Sequence, residues 1–268
     1  MNLSLERIRA NRNFANKIWN AARFAVTNLG KLAGEGERLS VNGDQSPDTT
    51  DHHSLADRWI TSRLHSTIAE TTRLFDSYQF GEAGRQAYEF LWGDCADWYI
   101  EAAKGQLAAG GQEAARTAGV LIHVLDQTLR LLHPFIPFVT EDIWQNLKAA
   151  AEAASPVLGP VFAQHPGPWL AGSEDRRGAD RARPWPAALI IAPWPQAGPI
   201  DAEAEAAFGR VQDIVRAIRN ARAEYNVPPG RRIGALISAG EHLALLQAQL
   251  PMIANLASLD AAHVQLAE

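Results

Sequence analysis

The sequence predicts a mainly α-helical protein, an antiparallel helical bundle through about residue 150 followed by a small α/β subdomain. Before residue 150, apolar side chains recur every three or four positions, which is the spacing of one helix face, and no segment has a strand pattern. Helices that each bury one apolar stripe must pack side by side, as in a bundle. Strand-like runs are found only later, at residues 233–237 and 263–266.

The first helix is predicted over residues 5–32. Its apolar stripe comprises Ile8, Phe14, Ile18, Ala22, Ala25 and Leu29. Gly30 and Gly34 are expected to end the helix, and residues 33–50 are expected to form a polar loop. A second helix should begin near Leu55, capped by Ser54 or Thr50, and should break at residues 78–80.

Three more helices are predicted to complete the bundle. One runs from residue 80 to about 105, and a hinge at 108–112 separates it from a strongly apolar helix. Pro134 must terminate that apolar helix, because proline lacks an N–H donor and disfavours helix before it. Thr140 is the expected N-cap of the next helix, with acidic residues in the first turn, where the helix dipole favours anions.

The predicted organisation has three parts. The bundle occupies residues 1–150, and a Pro- and Gly-rich linker or insertion occupies 151–186. The α/β subdomain occupies 187–268 and contains a long helix at 201–226. Its remaining elements are a strand at 233–237, short helices near 243–250 and 253–259, and a strand at 263–266.

Composition favours a globular protein of a reducing compartment. Of the 268 residues, 47% are hydrophobic and 21% are charged, which is outside the range of disordered chains. The single cysteine, Cys95, excludes an internal disulfide framework and a Cys-rich zinc site. No stretch approaches the roughly 18 apolar residues of a membrane span, and the first twelve residues do not resemble a signal peptide. The expectation is a cytoplasmic protein with no membrane partner.

The net charge of −5 conceals two basic segments. Residues 1–31 contain six basic side chains and one acidic side chain, and residues 210–232 contain six basic and two acidic ones. Such segments fit either ordinary solvated helix faces or surfaces that attract nucleic acid. Charge alone does not separate these two interpretations.

The sequence shows no catalytic site. Its eight histidines lack the spacing of a zinc-binding helix, and no Gly-rich phosphate loop is present. Cys95 lies on an apolar stripe without an arranged histidine, which indicates a core position. The prediction is therefore that this segment contains no catalytic residue, no metal site and no cofactor site.

The first helix instead suggests binding to single-stranded RNA. Arg12, Asn16, Asn20 and Arg23 recur at spacings of three and four, opposite much of the apolar stripe. Asparagine offers a donor and an acceptor to a base edge, arginine pairs with phosphate or stacks on a base, and an exposed ring stacks on an unpaired base. In the alternative interpretation, Trp19 and Phe24 pack inside the bundle and the asparagines cap or link helices.

Several segments resemble valyl-tRNA synthetases, a family of class I aminoacyl-tRNA synthetases. NFANKIWNAARF, at residues 13–24, resembles the opening helix of their anticodon-binding domain, and IVRAIRNARAEYNVPP, at 214–229, also resembles this family. LADRWITSRL and FLWGDCADWYIEAAK resemble the next two helices of that domain. LRLLHPFIPFVTEDIW is similar to the related enzymes for branched aliphatic amino acids. The matching segments span most of residues 1–148 and 186–266.

The resemblance implies a helical bundle that grips the anticodon stem-loop of tRNA(Val). It implies that catalytic and editing domains of the same polypeptide carry out ATP-dependent aminoacylation, with ATP and Mg²⁺ as cofactors of the parent enzyme. HIGH-like and KMSKS-like motifs are absent from this sequence, so a C-terminal fragment is expected.

The resemblance also implies which residues contact RNA. Phe24 is the expected stacking ring, with Asn16, Asn20 and Arg23 near the anticodon bases. Phosphate or backbone contacts are expected from Arg12, Lys17, Arg216, Arg219 and Arg222. Two alternatives remain: the corresponding domain of an isoleucyl or leucyl enzyme, and a helical scaffold that binds a protein partner without RNA.

Overall fold

The computed structural model describes residues 4–39, 53–164 and 185–267. The chain divides into two compact units, Met1–Ile200 (unit 1) and Asp201–Glu268 (unit 2). Unit 1 is built from helices, and the strands of the described chain lie in unit 2. The predicted mainly α-helical fold is confirmed.

Unit 1 is a bundle in which neighbouring helices bury their apolar faces against one another. Its helices are α1 (Leu5–Leu39), α2 (Leu55–Asp76), α3 (Phe80–Glu89), α4 (Ile100–Ala109), α5 (Gly111–Leu132) and α6 (Pro137–Gln164). Helix α1 packs on α5 and α6, and α2 packs on α3 and α5.

Helix α1 follows the predicted stripe and is longer than predicted. Its apolar positions from Phe14 to Leu29 are buried, whereas the side chain of Ile8 lies outside the described part. The prediction that Gly30 and Gly34 end the helix is wrong, because the buried stripe continues to Leu32 and offsets the roughly 1 kcal/mol that a helical glycine costs. Of the predicted loop, residues 33–39 are helical and 40–50 lie outside the described residues.

Helix α2 begins and ends as predicted. The Ser54 hydroxyl accepts a hydrogen bond from the backbone N–H of Asp57 at 3.1 Å, which confirms the N-cap; Thr50 lies outside the described residues. Helix α2 ends at Asp76, and the chain turns at Tyr78, which has a positive φ of 59°. The buried Asp57 carboxylate then accepts hydrogen bonds from Tyr99 at 2.6 Å and Thr117 at 3.1 Å, so this N-terminus is tied to two other parts of the bundle.

The third predicted helix contains a feature that the sequence does not indicate. Between α3 and α4, the segment Phe90–Tyr99 forms a π-helix, in which hydrogen bonds run from residue i to i+5. Helix α4 ends at Ala109, four residues beyond the predicted end. Gly110, with φ of 73°, makes the predicted break between α4 and α5.

Helix α5 ends at Leu132, before Pro134, as predicted. The prediction that Thr140 caps α6 is wrong. That helix begins at Pro137, because proline suits the first helical position, where no N–H is needed. Thr140 lies inside the helix, and its hydroxyl donates to the carbonyl of Ile136 at 3.0 Å.

Residues 151–200 are organised differently from the predicted linker. Helix α6 extends to Gln164, and residues 165–184 lie outside the described part. Residues 185–200 then lie along unit 1, where the Trp194 indole donates to Thr72 at 2.9 Å and the Gln145 amide donates to the carbonyl of Ala187 at 2.8 Å. These bonds place the boundary between the units after Ile200, whereas the sequence suggests residue 187.

Unit 2 has the elements that the sequence predicts. They are α7 (Ala202–Glu224), β1 (Ile233–Ser238), α8 (Leu243–Ala248), α9 (Leu250–Leu256) and β2 (Leu259–Ala267). Strands β1 and β2 are parallel, with Ile237 opposite Leu266, and β2 starts four residues earlier than predicted. Asp201 caps α7 by accepting from the N–H of Ala204 at 2.9 Å.

None of the helices described is both long enough and apolar enough to cross a membrane.

Candidate nucleic-acid interface

The polar face of α1 is at the surface of unit 1. Arg12, Asn16, Asn20 and Arg23 are all exposed, and they occupy one side of the helix while the apolar stripe is buried on the other. Trp19 is 45% exposed, so the alternative in which it packs in the core does not fit the structure. The side chains that the sequence groups together are therefore accessible to a ligand.

Arg23 and Asn20 are linked to each other. The Nη2 of Arg23 donates to the Oδ1 of Asn20 at 3.2 Å. The bond holds the two side chains side by side and turns the amide N–H₂ of Asn20 away from the guanidinium. An amide held in this way is an oriented donor, which suits the recognition of a base edge.

A pocket of about 600 Å³ opens beside these two residues. On the α1 side it is lined by Asn20, Arg23, the half-buried ring of Phe24, Asn28 and Lys31. The other wall is formed by the end of α4 and the residue after it, through Lys104, Leu107, Ala108 and Gly110. This volume is within the usual range for sites that bind small organic molecules.

The ring of Phe24 belongs to a well-supported turn of α1. The Nδ2 of Asn28 donates to the carbonyl oxygen of Phe24 at 2.8 Å, and Ala25 is buried directly after it. Because the ring is half-buried, it has support from the protein while it also lines the pocket. A supported, partly exposed ring is the arrangement on which an unpaired base stacks.

Lys17 is engaged within unit 1. Its ammonium lies 2.6 Å from the carboxylate of Asp97 and 3.8 Å from the centroid of the Trp92 ring. Trp92 in turn stacks on Tyr88, with 5.8 Å between centroids. These contacts link α1 to the π-helical segment, and Lys17, whose side chain is 21% exposed, is the least accessible of the basic residues predicted on α1 to contact RNA.

In unit 2, the structure corrects the expectation for Arg222. Its side chain is 8% exposed and donates to the carbonyl oxygens of Ser258, Pro228 and Arg231 at 3.2, 3.1 and 2.8 Å. The guanidinium thus joins three backbone segments of unit 2. A group buried in this way is not available to RNA, so the predicted contact is wrong.

Arg219 and Arg216 differ from Arg222 in exposure. Arg219 lies at the surface, but its Nε and Nη2 both donate to the carbonyl of Leu256, at 3.1 and 2.9 Å. Arg216 is exposed and lies 3.4 Å from Asp213 in a surface ion pair. Of the three arginines predicted on α7, Arg216 has the most accessible guanidinium.

The groups with strongly shifted pKa values belong to the interior. Cys95 is a buried core residue, as predicted, and its burial raises the pKa of the thiol to about 12. Burial, together with His65 and Arg130, lowers the pKa of His123 to about 3. Across the described ranges, no three His, Cys, Asp or Glu side chains are arranged to hold a metal ion.

Asn28, Lys31 and Lys104 also line the pocket, although the sequence pattern does not single them out. Asn28 and Lys31 follow Phe24 along α1 at spacings of four and three. Lys104 comes from another helix, and no local pattern connects it to α1. The signal for the first two was the helical repeat itself.

Residues 57–237 match the family described as the anticodon-binding domain of tRNA ligase. The chain belongs to this family. Over 248 aligned residues, the chain is 40% identical to valine–tRNA ligase of Geobacillus stearothermophilus. The alignment covers 91% of this chain and 23% of the relative. Valine–tRNA ligase of Bacillus cereus strain ATCC 10987 is 38% identical to this chain over 251 residues, and the alignment covers 92% of this chain and 23% of the relative. The chain spans just under a quarter of these relatives.

These comparisons confirm the resemblance seen in the sequence. The family comprises anticodon-binding domains of tRNA ligases. The polar face of α1 and the adjoining pocket form one exposed polar surface of unit 1.

Proposed function

We propose that this protein is the anticodon-binding region of a valine–tRNA ligase and that the exposed face of α1 contacts the anticodon loop of tRNA(Val). The observation that carries the proposal is that Asn20, Arg23 and Phe24 line one pocket at the surface of unit 1. The curated relatives named above are valine enzymes, which does not favour the isoleucyl or leucyl alternative.

The three side chains have complementary roles in this proposal. The Phe24 ring supplies a stacking surface, which every base accepts. The Asn20 amide supplies oriented hydrogen bonds for a base edge, and Arg23 supplies positive charge for phosphate or a second stacking surface. An anticodon loop presents unstacked bases with free edges, whereas the bases of a duplex are closed to such a pocket.

The chemistry of the parent enzyme is assigned to other domains. We propose that valine is attached to tRNA with ATP and Mg²⁺ by catalytic and editing domains of the same polypeptide, because the chain spans 23% of its relatives. Arg12 and Asn16 extend the polar face of α1 beyond the pocket and supply further contacts to the stem-loop. The present region contributes affinity and discrimination among tRNAs.

A second candidate function, docking of a protein surface, is favoured by a separate aromatic cluster in unit 1. Phe80 lies 5.4 Å from Phe75 and 6.0 Å from Tyr78, and Phe135 lies 5.7 Å from Phe75, measured between ring centroids. Tyr78 and Phe138 are 81% and 89% exposed. Exposed aromatic groups of this kind are typical of docking surfaces.

Salt separates these two functions. RNA binding weakens steeply as salt rises, because counterions are released from phosphate, whereas apolar docking responds little. Binding of a tRNA(Val) anticodon hairpin to the 268-residue chain is measured by fluorescence anisotropy at several salt concentrations. A steep salt dependence supports the RNA function, and its absence contradicts it.

The site is tested with Asn20→Ala and Arg23→Ala. Each is expected to weaken hairpin binding by about 1–3 kcal/mol, which is roughly 5- to 150-fold, through loss of a base contact. Arg73→Ala, on α2, is the control, since it removes an exposed arginine that is paired with Glu70 outside the pocket. Unchanged binding in both test variants would contradict the assignment of Asn20 and Arg23 to the RNA-binding site. Hairpins from isoleucine and leucine tRNAs test discrimination.

A further inference from the structure

The wall of the pocket opposite α1 contains a feature that the sequence resemblance does not assign. This wall is the end of α4, where Leu107 is buried and Lys104 is exposed. Lys31, on α1, is also exposed and lines the same pocket. Two lysines from different helices therefore line one pocket.

The charge of this pocket differs from that of the chain. The chain as a whole carries a net charge of −5. Among the residues that line the pocket, Arg23, Lys31 and Lys104 are basic, and no lining residue that the structure describes is acidic. A concave surface with one sign of charge concentrates ligands of the opposite sign. The preferred ligand is therefore an anion.

The pocket also changes in character from its interior to its rim. Leu32 and Leu107 are buried and, with the Phe24 ring, form an apolar surface, whereas Lys31 and Lys104 are exposed. A nucleotide has the same division, since its base has apolar faces and its phosphate is charged. The arrangement fits one unstacked nucleotide with the base against the apolar residues and the phosphate near the lysines.

We propose that Lys104 and Lys31 bind the phosphate of the nucleotide whose base stacks on Phe24. The end of α4 is then the second wall of the anticodon site. This inference rests on the proposed function, because it concerns the same RNA. It adds residues of another helix to a site that the sequence places on α1 and α7.

Lys104 has an intramolecular partner in the free protein. Its ammonium lies 2.6 Å from the carboxylate of Glu101, and the two side chains are 45% and 42% exposed. Exposed pairs of this kind contribute little to stability, so a phosphate can replace the carboxylate at small cost. Glu101 is then a competitor of the RNA. Removing its charge should strengthen RNA binding, and removing the charge of Lys104 should weaken it.

The test uses the 268-residue chain and the tRNA(Val) anticodon hairpin. Affinity is measured by fluorescence anisotropy over a series of salt concentrations. Lys104→Gln is expected to bind roughly 5-fold more weakly near 0.1 M salt and to lower the salt slope by about 0.7, the value for one phosphate contact on a single strand. Lys31→Gln should behave similarly, and Glu101→Gln should bind more tightly than wild type.

A matched control lies on α2. Arg73 and Glu70 form an exposed ion pair with the same three-residue spacing, 59% and 41% exposed, away from the pocket. Arg73→Gln and Glu70→Gln are expected to leave affinity and salt slope unchanged. Circular dichroism verifies that every variant is folded. This control separates a local phosphate contact from a general change of surface charge.

The outcomes separate the two proposals. If the wild-type chain does not bind the hairpin, the proposed function and this inference both fail. If the wild-type chain binds but Lys104→Gln and Lys31→Gln keep its affinity and salt slope, this inference alone is overturned. Equal losses in the test and control variants would also overturn it, because the effect would then be nonspecific.

Discussion

Helices α1 and α7 are both rich in arginine, yet they use it differently. On α1, Arg12 and Arg23 are exposed, and the partner of Arg23 is the neighbouring side chain of Asn20. On α7, Arg222 is buried and donates to four backbone carbonyls. Two segments of similar charge thus have different physical roles, and the difference is in the acceptors that surround each guanidinium.

The origin of this difference is the structure around α7. The helix is followed by a turn at Pro228–Arg231, and the loop at Ser258 lies nearby; both expose carbonyl oxygens. A guanidinium has five N–H donors in a fixed plane and stays charged, so it can satisfy several carbonyls at once. Arginine density in a sequence therefore predicts an RNA surface only where such internal acceptors are missing.

The largest expected effect that tests this comparison is on stability. Arg222→Ala should lower the free energy of unfolding by about 3 kcal/mol or more, because several carbonyl groups lose a charged donor. Arg222→Lys should recover only part, since an ammonium cannot span the same acceptors. Urea unfolding followed by circular dichroism measures both. A loss below about 0.5 kcal/mol, the level of ordinary surface substitutions, would contradict the buried role.

The next effect concerns the α1 side of the comparison. Phe24→Ala should weaken hairpin binding by about 1–3 kcal/mol, the contribution of stacking on one base. Phe24→Tyr keeps the ring and should retain most of the affinity. Anisotropy titration measures binding, and urea unfolding tests whether the half-buried ring also stabilises the fold. If Phe24→Ala binds like wild type while folded, stacking on this ring is excluded.

A smaller effect is the pH dependence of stability in unit 1, where His123 is buried. The pKa of His123 is lowered from 6.5 to about 3, first by burial and then by His65 and Arg130. Below pH 6.5 the unfolded chain takes up a proton that the folded chain refuses, so stability falls as pH decreases from 6.5 toward 3. At pH 5.5 the loss is about 1.4 kcal/mol.

His123→Gln isolates this contribution, because glutamine does not titrate. As the pH falls from 6.5 toward 3, the free energy of unfolding of wild type should decrease relative to that of His123→Gln. Urea unfolding at several pH values provides the measurement. A difference that stays constant would mean that His123 is not held neutral.

The smallest effect is expected for Arg216. Its ion pair with Asp213 is exposed at 3.4 Å, so Arg216→Ala should change the free energy of unfolding by no more than about 0.5 kcal/mol. If Arg216 meets an RNA phosphate, hairpin affinity also falls and the salt slope decreases by about 0.7–0.9. Arg216→Ala thus determines whether α7 shares any of the role of α1. An unchanged affinity and salt slope would show that Arg216 makes no phosphate contact.

Much of the fold follows from helical periodicity and local signals. The buried stripe from Phe14 to Leu29, the cap at Ser54 and the stop before Pro134 are all present as predicted. The polar face of α1 also follows from spacing, since a buried stripe on one side fixes which residues are left on the other. These features depend on neighbours within about one turn of the chain.

The remaining features depend on contacts between distant segments. Helix α1 continues past Gly30 because its apolar face still finds a buried position at Leu32. The inward direction of Arg222 depends on carbonyls 6 to 36 residues away in the sequence. The contribution of Lys104 to the pocket depends on how α4 lies against α1. Local patterns do not carry such information.

The π-helical segment Phe90–Tyr99 also has a geometric consequence. Lys17 touches Trp92 and Asp97, which are five residues apart and would diverge on an ordinary α-helix, where neighbours on one side are three or four apart. Because α4 follows directly, the wide turn sets the rotational phase of everything after it. Deleting one residue there would rotate α4 by roughly a quarter turn relative to α3 and move Lys104 and Leu107 away from Phe24.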